Sequence, residues 1–223
     1  MPQDPPRWTI LVPVRGGGSG KSRLRRIEER PLTPAERVEV ALAMARDTVA
    51  AAVGAGLGPV VVVTADREVA AMARSCGAAV HEDRGRGLNS ELSAAAAAAE
   101  PSMGVCALLG DLPALTSESF AAALEATAEA PLGAFVPDHE GTGTALVAAG
   151  PGAVVHLPFR FGPASARRHE EAGLRVVGTD LAPVRCDVDT TEAWDLALDL
   201  GLGPATSALR AALLAGPAHG RTD

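Results

Sequence analysis

Three groups of residues have the types and spacing to handle phosphate and a hard cation. The first lies in the stretch WTILVPVRGGGSGKSRL, Trp8 to Leu24. An apolar run there leads into Arg15, four glycines (Gly16, Gly17, Gly18, Gly20), Lys21, Ser22 and Arg23. Glycines let backbone N–H groups close around an anion, and the cations hold a polyphosphate. The P-loop pattern G-x-x-x-x-G-K-[ST] would end at Gly20-Lys21-Ser22 and so needs glycine at position 15, which is Arg. The stretch is therefore a Gly-rich cationic triphosphate loop of another kind. Lys21 is the only lysine among 20 basic residues, and a compact ammonium suits a crowded phosphate site as a point charge.

The second group is acidic. Asp111 follows the buried run Val-Cys-Ala-Leu-Leu-Gly, at a strand's carboxyl end, where open α/β sheets form their ligand crevice. Asp187-Val188-Asp189 places two carboxylates at i and i+2, on one side of an extended segment. Three carboxylates with phosphate oxygens to complete the shell make a Mg²⁺ site. The third group, Gly141-Thr142-Gly143-Thr144 and Phe161-Gly162-Pro163-Ala164-Ser165, offers hydroxyls and free amides for a second phosphate-bearing substrate. Arg160, Arg167, Arg168 and His169 add charge beside it. The five histidines and three cysteines form no metal spacing, and G-x-S-x-G and C-x-x-C are absent, so no covalent nucleophile stands out.

These groups need a frame. With 223 residues the chain is long enough to bury a sizeable core unaided. A net charge of −7 disfavours nucleic acid and anionic membranes as partners. Cys76, Cys106 and Cys186 suit a reducing, cytoplasmic setting, and the start MPQDPPR has no secretory pattern. Strands are expected at 8–14, 60–64, 78–81, 105–109, 134–136, 144–148, 175–177 and 184–188. Between them, Thr33-Pro34-Ala35-Glu36 reads as a capping box that opens a helix to about Val53. Further helices are expected from Asp66, Asn89, Ser117, Phe161, Thr190 or Thr191, and Gly203-Pro204. This alternation predicts an α/β fold: one Rossmann-like nucleotidyltransferase domain over residues 1–218, its mixed, mostly parallel sheet covered by helices on both faces. Residues 219–223 should be a flexible tail.

VPVRGGGSGKSRL, Thr64-Ala65-Asp66, GLNSEL (Gly87–Leu92), LLGDLPAL, GTGTAL, FGPASARRH and RCDVDT together span nearly the whole chain. In this order they resemble the guanylyltransferases of coenzyme F(420) biosynthesis, which act on phosphoenolpyruvate or 2-phospho-L-lactate. The resemblance implies Mg²⁺ on Asp111, Asp187 and Asp189. It also implies GTP on Arg15, Lys21, Arg23 and Asn89, and the phosphorylated acid on Thr144, Gly162 and Ser165. RCDVDT and FGPxS look most like the phosphoenolpyruvate-using branch. A downstream transferase that consumes the product is the implied partner. The departure is at Gly16–Gly18, where relatives carry Lys-Arg-Leu-Ala and then Ala-rich sequence. The rival readings are a nucleotidyltransferase for another acceptor (a sugar or polyol phosphate, or molybdopterin), a P-loop-like NTPase or kinase, and a nucleotide-binding module without turnover.

Overall fold

The computed structural model describes residues 8–16, 21, 23–154 and 157–216. Gly17, Gly18, Gly20 and Ser22 of the glycine-rich loop, and the tail expected from 219, lie outside the described residues. In chain order the strands are β1 (Trp8–Pro13), β2 (Arg26–Ile27), β3 (Arg30–Pro31), β4 (Val60–Thr64), β5 (Ala79–Glu82), β6 (Gly104–Leu108), β7 (Ala134–Pro137), β8 (Thr144–Ala149) and β9 (Arg175–Val176). The helices are α1 (Pro34–Gly54), α2 (Arg67–Ser75), α3 (Leu88–Ala97), α4 (Ser117–Ala128), α5 (Ser165–Glu171), α6 (Ala182–Arg185), α7 (Thr191–Leu200) and α8 (Pro204–Ala215).

Seven strands form one mixed sheet in the order β5-β4-β1-β6-β8-β7-β9. The pairs β1–β4, β1–β6, β4–β5 and β7–β9 are parallel; β8 runs antiparallel to both neighbours. Alternation along the strands gives each face its own core. Ile10, Val12, Val62, Cys106 and Leu146 pack with α1, α2 and α4 on one side. Leu11, Val63, Ala107, Phe135 and Val147 pack with α3 and α5 on the other. This is the helix-covered sheet that the alternation of elements predicts. A third cluster, with Trp194, Met44, Leu24 and Ile27, lies under the small β2–β3 hairpin and ties α7 and α8 to α1.

The order of strands fixes where chemistry can occur. β1, β4 and β6 are parallel, so the residues after their carboxyl ends (Arg15, Asp66, Asp111) gather along one edge. Because β8 is antiparallel, its first residue rather than its last reaches that edge, and Leu109 N–H donates to Ala145 O at 2.9 Å. That pairing brings Thr144 beside the Asp111 turn. Gly16 lets β1's exit run against the start of α2, since a Cβ there would sit 1.8 Å from Asp66 Oδ2.

The Thr33–Glu36 capping box forms, with Pro34 in the first turn. Several expected boundaries differ. Val184–Val188 is not a strand: Pro183 sits in the first turn of α6, and a residue without an N–H cannot feed a ladder. The cap of α4 is Thr116, boxed with Ser119, while Ser117 Oγ instead donates to Ala51 O. α5 begins at Ser165 rather than Phe161, after the positive-φ residues Gly162 and Ala164. The β2–β3 hairpin was not expected, because two-residue strands carry no periodicity.

Candidate active site

Lys21 is 7% exposed, so the single lysine is not a surface residue. Its ammonium bonds Asp111 Oδ2 and stands 2.6 Å from Asp189 Oδ1; Arg23 Nη2 holds Asp189 Oδ2 at 3.0 Å. Burial alone would lower the lysine's pKa, but Asp111 and Asp189 outweigh it, and the group sits above its ordinary value. A backbone bond from Val188 N–H to Asp111 O (3.0 Å) draws the 187–189 segment against β6. Val188 is fully buried; Asp189 lines the cleft, while Asp187 lies outside its lining and still feels the charges of Asp111 and Asp189. The two carboxylates thus come near Asp111 without a strand ladder.

This cluster is electrostatically unfinished. Asp111 Oδ1 and Asp187 Oδ1 are buried and accept no hydrogen bond among the described residues. His139 Nδ1 lies 3.6 Å from Asp187 Oδ1, too far for one. Burial, then the charges of Asp111, Asp138 and Asp189, push the Asp187 carboxyl up to about 7. Among the described residues, no three His, Cys, Asp or Glu side chains already stand in a ligand arrangement. Lys21 stands between Asp111 and Asp189 and bonds both. Hard oxygen donors with spare lone pairs and mutual repulsion fit a divalent cation.

A cleft of about 450 Å³ opens from this cluster, lined by Arg15, Gly16, Lys21, Asp66, Asp111 and Asp189 with apolar residues of α1 and α2. Arg15 is exposed at its mouth. Thr144, Gly162, Ser165 and Asp187 are not in its lining. They form the adjoining end, where Ala166 N–H donates to Thr142 O at 3.2 Å and joins α5 to the turn before β8. Asn89 belongs to this end too: its amide accepts from Phe161 N–H at 2.9 Å and donates to Phe161 O at 3.1 Å. The side chain thus pins the loop carrying Gly162.

Thr144 has a partner that its spacing did not reveal. Its Oγ1 lies 2.9 Å from Nδ1 of the fully buried His169, and His169 Nε2 accepts from Arg160 N–H at 3.1 Å. Burial, helped by Arg168 and Arg160, pushes the His169 pKa down to about 4, so the ring is neutral near pH 7. With Nε2 accepting, the ring proton is on Nδ1 and is donated to Thr144. The threonine's own proton is then left to donate to an anion. Two further residues shape the same region. Arg185 holds Asp138 O (Nη2, 2.8 Å) and Thr179 O, and Asp138 accepts from the Thr142 and Gly143 amides. Asp138 closes its own turn four and five residues on, while Arg185 reaches a carbonyl 47 residues away, so no motif announces the arginine.

A mixed sheet with Lys21, Arg23 and three aspartates gathered beyond its strand ends, beside a cleft, is the architecture of a nucleotidyltransferase. Residues 16–184 match the family described as the MobA-like NTP transferase domain. The chain is 42% identical to a phosphoenolpyruvate guanylyltransferase of Streptomyces avermitilis, across 93% of this chain and 96% of that one. It is 43% identical to the phosphoenolpyruvate guanylyltransferase of Streptomyces scabiei, across 93% and 98%. In fold it is similar to a nucleotidyl transferase from Methanothermobacter thermautotroptrophicus (TM-score 0.55, 19% identity, 86% of this chain and 98% of that one). The chain belongs to the MobA-like NTP transferase family and, within it, to the phosphoenolpyruvate guanylyltransferases.

Proposed function

We propose that the chain transfers GMP from GTP to the phosphate of phosphoenolpyruvate and releases pyrophosphate, in coenzyme F(420) biosynthesis. Residues 1–218 would act as a single nucleotidyltransferase domain in the cytoplasm, handing its product to a downstream transferase. The observation that carries this reading is the meeting of Lys21, Asp111 and Asp189 in the lining of the cleft beyond the ends of β1 and β6.

A phosphate oxygen of the acid attacks the α-phosphorus of GTP in line, and the bond to the β-phosphate's bridging oxygen breaks. The attacking oxygen is already anionic near neutral pH, so no general base is required. Arg15, Lys21 and Arg23 hold the triphosphate and neutralise charge that builds on the leaving pyrophosphate. Asp111, Asp187 and Asp189 would hold Mg²⁺, which when bound neutralises and orients the phosphates. Thr144 donates its hydroxyl proton to the acid, with the backbone at Gly162 and Ser165 completing the contact. Asn89 supports this loop and, through it, the acid, in addition to any contact with the nucleotide. Positioning by these groups supplies the remaining rate enhancement.

The test is pyrophosphate release from GTP and Mg²⁺ with each of phosphoenolpyruvate, 2-phospho-L-lactate, a sugar phosphate and a polyol phosphate, the products being weighed. Guanylated phosphoenolpyruvate should dominate. Guanylated lactate as the main product would overturn the choice of acid, and a guanylated sugar or polyol the whole substrate class. The two acids differ only in whether the C2–C3 bond is double or single, and a pocket built from anion contacts separates such a pair by about 1–3 kcal/mol.

A further inference from the structure

Arg168 has two buried nitrogens, Nε and Nη2, with no hydrogen-bond partner among the described residues. Those two N–H groups lie along one edge of the guanidinium, the edge that takes both oxygens of a carboxylate. The same molecule shows the finished version. Arg86 offers the same pair to Glu91, Nε at 3.0 Å from Oε1 and Nη2 at 2.8 Å from Oε2. A buried cationic donor without an acceptor is costly, and the described residues supply Nε and Nη2 of Arg168 with none. Glu171, one turn further on, is taken by Arg167 at 2.7 Å.

The position of that edge is defined. Ser165, Arg168 and His169 stand at i, i+3 and i+4 of α5, on one face. His169 is locked to Thr144 and to the Arg160 amide, which fixes the rotation of the helix. A Cβ on Gly162 would fall 3.2 Å from Arg168 Nη2, so the guanidinium lies directly over the glycine of the acid loop. Gly162 also has φ +119°, a conformation that favours glycine. The unpartnered fork thus lies at Gly162, on the helix face it shares with Ser165 and with His169, the partner of Thr144; Thr144, Gly162 and Ser165 are the groups proposed above to hold the acid.

We propose that Arg168 grips the carboxylate of the phosphorylated acid side-on through Nε–H and Nη2–H, and so selects phosphorylated acids over phosphorylated alcohols. The inference rests on the guanylyl-transfer reading and names the residue that reads the acid's second charge. The phosphate is tetrahedral and must face the triphosphate; the planar carboxylate is the group whose two oxygens match the fork.

The experiment uses the full chain with GTP and Mg²⁺, comparing wild type, Arg168→Met and Arg168→Lys. Arg168→Met should raise KM for phosphoenolpyruvate about 10–100-fold, the effect of losing two charge-assisted bonds. KM for GTP should move less than about twofold, and Arg168→Lys should recover only part of the loss, since it restores charge without the fork. Equilibrium binding of phosphoenolpyruvate in the absence of GTP should fall by a similar factor. With a three-carbon phosphorylated alcohol that lacks the carboxylate, wild type and variants should perform alike. An unchanged KM for the acid, or an equal loss with the alcohol, overturns the inference. If Arg168→Met does not fold, Arg168→Lys carries the same comparison. Failure of the wild-type chain to guanylate any phosphorylated acid would be a failure of the underlying reading, seen before any variant is made.

Discussion

Two buried carboxylate clusters in this protein face opposite ways electrically. Glu91 is fully buried, yet its oxygens accept from the Arg84 and Arg86 amides and from the Arg86 guanidinium. The Arg86 bond above all holds its carboxyl down at about 2. Asp187 meets burial and three other aspartates, and is pushed up to about 7. A carboxylate with donors on both oxygens ties down the loop before α3; one left unsatisfied and repelled has the chemistry to accept a cation. Burial alone does not separate structure from function here. Satisfaction does.

The strongest way to break this contrast is to neutralise the aspartates. Asp111→Asn, Asp187→Asn and Asp189→Asn should each cut turnover by roughly a hundredfold or more at limiting Mg²⁺. Without metal, Asp187→Asn should raise thermal stability, because a like charge is removed, whereas Asp111→Asn and Asp189→Asn should lower it, because buried Lys21 loses a counter-charge. Near-normal turnover in any two variants would make the cluster structural after all.

Lys21→Ala should come next, lowering kcat/KM for GTP more than KM for the acid changes. Lys21→Arg should leave a deficit of about tenfold, since a planar fork does not fit between two carboxylates as an ammonium does. Equal losses for both substrates would assign Lys21 to the fold.

Glu91→Gln sharpens the contrast from the other side. It should lower the thermal midpoint by several degrees while turnover per folded molecule stays within about twofold. Because Glu91's folded pKa is depressed, its contribution is present above the ordinary carboxylate range and is lost as pH falls toward about 2. A pure loss of turnover in this variant would put Glu91 on the wrong side of the comparison.

The smallest effect is a slope. His169 is neutral when folded, with its pKa near 4 against an ordinary 6.5, so the unfolded chain binds a proton first as pH falls. Stability should decline between about pH 6.5 and 4, measured by denaturant midpoints across that window. His169→Gln should flatten this decline and raise KM for the acid, because Thr144 loses its donor.

Much of this was legible in the amino-acid order. Continuous apolar runs and a capping box are local signals; they announced β1, β4, β6, β7, β8 and α1, but also marked 184–188, which is no strand, and missed β2 and β3. The lone lysine, the Asp after a buried strand and the Asp-x-Asp pair were chemically conspicuous, and Lys21, Asp111, Asp187 and Asp189 do converge. What spacing could not supply was partnership. That Lys21 sits between Asp111 and Asp189, 90 and 168 residues away, follows from the parallel order of β1 and β6 and from one backbone bond at Val188. The antiparallel placement of β8 brought Thr144 to His169, and the packing of α5 brought Arg168 over Gly162. Sequence selects which groups can do chemistry, because residue type is local. Which carboxylate is satisfied and which is left open depends on contacts that close only when distant segments pack.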